Sequence, residues 1–81
     1  MQTKNKQKIL NDLKLKCSAF KNYYAEKNNA SKLSIYTHIE AILNTENAFD
    51  KIDSNVAINI INDLVNDKTK AKQIYLSLMA E

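Results

Sequence analysis

Ser34 and His38 are the first pair in this 81-residue chain whose types and spacing could do chemistry. Four residues apart on a helix, they would share a face, and a histidine beside a hydroxyl is the start of an activated nucleophile. Acyl transfer needs more: an acid to orient the imidazole and donors for the developing oxyanion. Neither lies at a matching spacing, so the expected role of His38 is a polar residue on a helix flank. Glu40 and Glu46 are not spaced to converge as a carboxylate pair. Cys17 and His38 stand alone as soft ligands on different segments, whereas structural zinc takes four nitrogen or sulfur ligands. Asp53-Ser54-Asn55 faintly echoes a calcium loop but lacks its turn glycine and bidentate glutamate. Gly and Pro are absent altogether, which removes the glycine-rich loops that cradle nucleotide phosphates. No catalytic, cofactor or metal site is therefore expected, and the chain does not read as an enzyme.

The elements that carry these residues read as helices. With no glycine for hairpin turns and 44% apolar residues, an all-α fold is the strong expectation. The chain has room for a single helical domain over residues 1–81. A first helix should span Thr3 to Asn28, with Leu10, Leu13, Cys17, Phe20 and Tyr24 on one seam and the Asn28-Asn29 pair as its stop. A second should start at a cap on Asn29 or Ser31. Ile35, Ile39, Ile42 and Phe49 would form its seam, with Tyr36 and Leu43 widening it.

The segment 50–54 reads as a loop, with Asp53 or Ser54 capping the next helix. Beyond it, Ala57, Ile61 and Leu64 keep helical spacing, and the same phase runs on through Lys68, Ala71, Tyr75 and Leu78. That continuity favours one long helix from Asn55 to Ala80, with the Lys68 stem lying along the core edge. Asn66, Asp67 and Thr69 argue the other way, as poor helix formers that cap well. The expected architecture is a small antiparallel up-down bundle of three long helices; the alternative has four, with a kink near Asn66–Lys68.

Charge is distributed unevenly. All 12 basic side chains are lysine, and the formal net charge is +3. Residues 1–27 carry seven Lys and two acids, 28–67 two Lys and six acids, and 68–81 three Lys and one acid, for net charges of +5, −4 and +2. A nucleic-acid surface using Lys14, Lys21, Lys68, Lys70 and Lys72 is the alternative functional reading. On helical wheels these lysines fan around their helices instead of tracking one line of phosphates, and arginine, the usual reader of guanine, is missing. The lysine and asparagine bias also fits AT-rich codon usage.

The less ordinary feature is apolar. Leu15, Ala19 and Tyr23 recur every four residues, roughly opposite the Leu13–Cys17–Phe20 seam, so the first helix has two apolar faces. A small bundle needs one. The spare face is expected to meet a protein partner or a second copy of the chain, as a homodimer. The expected function is thus a non-enzymatic helical interaction module of the inhibitor, immunity or accessory type. In general layout, a tiny lysine-rich helical chain without Gly or Pro, it resembles small bacterial, plasmid or phage accessory proteins such as bacteriocin immunity proteins; the likeness is one of composition and carries no motif. One unpaired cysteine suits a reducing compartment. Asn11, Asp12, Lys14 and Lys16 interrupt what would be the apolar core of a signal peptide, so a cytoplasmic protein without membrane insertion is expected.

Overall fold

In the computed structural model the backbone is described for residues 2–45 and 49–80, and the side chains for 6–45 and 49–80. Among the described residues there are four α-helices: α1 (Gln2–Glu26), α2 (Ala30–Leu43), α3 (Ser54–Val65) and α4 (Lys68–Met79). At a rise of 1.5 Å per residue, α1 is about 37 Å long. That nearly matches the 40 Å long axis of the molecule, whose other extents are 22 and 21 Å. The long first helix is therefore the spine. It packs broadly on α2, α3 packs broadly on α4, and the two hairpins meet through narrower α1–α3 and α1–α4 contacts.

Each helix end has a local chemical cause. α1 stops where Asn28 enters the left-handed region at φ 57°. The Asn29 N–H then reaches back to the Tyr24 carbonyl (3.0 Å) and the Asn28 N–H to that of Ala25 (3.2 Å), so carbonyls left over at the helix end are satisfied. Asn29 caps α2 at once, its Oδ1 accepting from the Lys32 N–H at 3.1 Å. Asp53 does the same for α3, accepting from the Asn55 N–H at 3.0 Å.

The long third helix does not form. Asn66 adopts φ 55°, ψ 41°, and its N–H closes on the Asn62 carbonyl. Asp67, in extended backbone, then caps α4 by accepting from the Lys70 N–H at 3.1 Å. Two residues that are poor inside a helix are good at its two ends, and together they outweigh the unbroken apolar phase. The four-helix alternative is the correct one. Lys68 moves with the break. It stands exposed at the first turn of α4, its Nζ 2.7 Å from Asn59 Oδ1, and does not lie along the core edge.

The core is built from Leu13 and Cys17 of α1, Tyr36, Ile39 and Leu43 of α2, Ala57, Ile58, Ile61 and Leu64 of α3, and Ala71 and Leu78 of α4, joined by Phe49 from the α2–α3 connection. Burying a side chain of the Leu or Ile class contributes about 1.5–3 kcal/mol, so this cluster is the main source of stability. The α2 seam differs from expectation by one position. Tyr36 is buried and Ile35 exposed, because stacking on α1 favours the aromatic ring: Tyr36 lies 4.9 Å from Phe20 and 5.7 Å from Tyr24, nearly parallel to both. Its hydroxyl donates to the Asp63 carbonyl at 3.3 Å, tying α2 to α3. α2 also ends at Leu43, so Phe49 enters the core from the connection and not from a helical seam.

Candidate docking surface

The residues whose types could do chemistry, Cys17, Ser34 and His38, lie on α1 and α2. Ser34 and His38 are both exposed on α2, in a shallow depression whose other walls are Ala30, Leu33, Thr37 and Ala41. The neighbouring hydroxyl of Thr37 donates to the Leu33 carbonyl at 2.8 Å. Cys17 is fully buried, and its thiol donates to the Tyr36 carbonyl at 3.1 Å. Burial, and secondarily the negative Glu40, push its pKa up; nearby Lys21 opposes this only in part. The thiol is thus held protonated as a core group. Among the described residues no cluster of three or more His, Cys, Asp or Glu is placed to hold a metal ion, and Glu46 lies outside those residues. No described helix is long and apolar enough to cross a membrane.

The lysines of the nucleic-acid alternative differ in their surroundings. Lys21 is paired with Glu40 across α1 and α2, Nζ to Oε1 2.7 Å. Lys68 is engaged with Asn59, as described above, and Lys14 is half-buried. Lys70 and Lys72 are exposed on α4.

α1 presents the more distinctive geometry. Leu15 is 70% exposed and Tyr23 52%, and Ala19 between them is exposed as well. The same helix buries Leu13 and Cys17 almost completely, so its two apolar faces have opposite fates. The exposed face is the rim of a trough. Toward one end, a groove is lined by Ile9, Leu13, Leu15, Val65 and Ile74, with Asp12, Lys16 and Lys70 at its edges. Toward the other, a second groove is lined by Ala19, Phe20, Tyr23, Tyr24 and Leu64, again with Lys16. Lys16 borders both, and Leu64 and Val65 are consecutive, so the two grooves are neighbours along α1.

The trough follows from how the helices pack. Because α3 and α4 touch α1 only narrowly, the space between them is not closed, and core residues Leu13 and Leu64 form part of its floor. At the aromatic end the floor is a stack of rings. Phe20 and Tyr24 stack on the buried Tyr36, and Tyr23 meets Tyr24 edge to face at 5.0 Å. Lys27 Nζ lies 5.5 Å from the centre of the Tyr23 ring. Spacing on α1 alone indicates Leu15, Ala19 and Tyr23. It gives no sign of the facing wall, Leu64, Val65, Lys70 and Ile74, because that wall depends on where α3 breaks and α4 returns. No protein-family model, curated protein or solved structure matches the chain.

Proposed function

We propose that this protein is a non-enzymatic helical interaction module that binds another protein through the α1 trough. The observation that carries the reading is the pairing of a strongly exposed Leu15 and Tyr23 with an apolar floor they do not cover. Scattered exposed apolar residues are ordinary, but large ones along one rim of neighbouring apolar grooves form a surface whose removal from water favours association. An aromatic ring with a polar tip, rigid neighbours and few rotatable bonds is also the kind of side chain that anchors interfaces. Acting as an inhibitor, protective or accessory subunit requires no more chemistry than this.

The test is photocrosslinking in the producing cell, with benzoylphenylalanine placed at Leu15 or, as a control, at His38 on exposed α2. A discrete adduct from position 15 that is absent from position 38, and lost when Tyr23→Asp is added, supports the reading. The same adducts from both positions, or adducts indifferent to Tyr23→Asp, refute it.

A further inference from the structure

Resting on that docking reading, we infer that the occupant of the trough is a single amphipathic α-helix with acidic flanks, supplied by a different protein. Length comes first. The lining runs along α1 from Ile9 to Tyr24, a span that at 1.5 Å per residue is about 22 Å, or about four turns of helix. A trough walled by one long helix and by the ends of two others has the form in which a further helix lays its apolar face, read at i, i+3, i+4 and i+7.

Charge complementarity selects the flanks. Lys16 and Lys70 border the groove, and Asp12 is the one acid among its lining residues. A helix seated there with glutamate or aspartate beside its apolar stripe meets lysine on both sides. One with lysine flanks meets like charge, which both slows association and selects against the wrong partner. Charge disfavours a second copy joined α1 to α1 in the same way, since residues 1–27 carry a net charge of +5 and would be brought against themselves. It also disfavours nucleic acid. The floor is apolar and aromatic, while Lys21 and Lys68 are engaged with Glu40 and Asn59 and do not extend a line of charge.

The experiment uses the full chain and fluorescein-labelled probes read by anisotropy. Three are designed helical peptides of about fifteen residues: leucine stripe with Glu flanks, the same stripe with Lys flanks, and Glu flanks with the leucines changed to serine. The fourth is a short DNA duplex. The Glu-flanked leucine peptide should bind about tenfold or more tightly than the Lys-flanked one, and the serine peptide should not bind. Leu15→Asp should weaken the favoured peptide about tenfold or more. The double variant Lys16→Glu, Lys70→Glu should reverse the flank preference, with helical content unchanged by circular dichroism. Absence of peptide binding, binding indifferent to flank charge, or a duplex bound more tightly than any peptide overturns the inference. So does a sedimentation measurement showing a dimer that position 15 crosslinks to itself. A partner adduct from position 15 without any flank preference overturns this inference alone and leaves the docking reading standing.

Discussion

Replacing Asn66 and Asp67 together by alanine gives a test in which the sign of the effect decides. In the four-helix structure Asn66 sits at φ 55° as the last cap of α3. Asparagine tolerates that conformation, whereas alanine would incur the left-handed penalty of about 1 kcal/mol. Asp67 accepts the Lys70 N–H, and losing such a cap costs about 1 kcal/mol. The two residues share one corner, so the sum is approximate, but about 2 kcal/mol is the expected loss. Against about 4–12 kcal/mol for a chain of this length, that is a large fraction. The melting temperature, followed by circular dichroism at the helix band, should fall by about 10 °C. Were residues 55–80 one continuous helix, the same substitutions would replace two poor helix formers by the best one and gain about 1 kcal/mol in total. A rise in melting temperature of about 5 °C would therefore refute the break. Asn66→Gly sharpens the comparison: with no Cβ to clash it should leave stability unchanged or slightly raised at a left-handed position, and should lower it within a continuous helix.

Further predictions separate the core from the trough. Leu13→Ala should cost about 2–5 kcal/mol in urea unfolding, because Leu13 is buried in the core; Leu15→Ala should change stability by about 0.5 kcal/mol or less. Cys17 and Tyr36 both have pKa values raised in the fold, chiefly by burial. For groups raised in this way the contribution is fully present below the unfolded pKa, about 8.5 for the thiol and about 10 for the phenol, and is lost as pH rises through the folded values. Stability should thus decline progressively on the alkaline side, and Cys17→Ala with Tyr36→Phe should flatten that decline; an unchanged slope would contradict it. The half-exposed Lys21–Glu40 pair should be worth about 0.5 kcal/mol in a double-mutant cycle and shrink as salt is added.

What could be read from the sequence, and what could not, divides along physical lines. Interactions within a few residues were legible: the seam of α1, the asparagine pair ending it, the Asp53 cap, and the Ala57–Ile61–Leu64 face. The break at Asn66 was legible only as the alternative, from Asn66 and Asp67 as poor helix formers that cap well, because the helical phase of Leu64 continues into Ala71 and Leu78, both buried, and favours one long helix. Two short helices joined by a tight corner can present the same periodicity as one long helix. Local capping chemistry then decides, and periodicity cannot reveal it. The one-position offset on α2 has a different origin. By hydrophobicity Ile35 is the stronger candidate, and the burial of Tyr36 instead rests on ring stacking with Phe20 and Tyr24, residues brought near only by the α1–α2 turn. For the trough, one rim was legible and the other was not. Leu15, Ala19 and Tyr23 announce themselves by spacing, while Lys70 and Ile74 gain meaning only after α4 has folded back beside α1.

The most direct measurement of the docking account is affinity and stability taken side by side for wild type and Leu15→Asp, using the protein captured from position 15. A side chain that is 70% exposed supports no core. Affinity should therefore drop about tenfold or more while the melting temperature stays within about 3 °C. Unchanged affinity in a folded Leu15→Asp protein would contradict the account, and so would a loss of binding that only tracks a loss of fold.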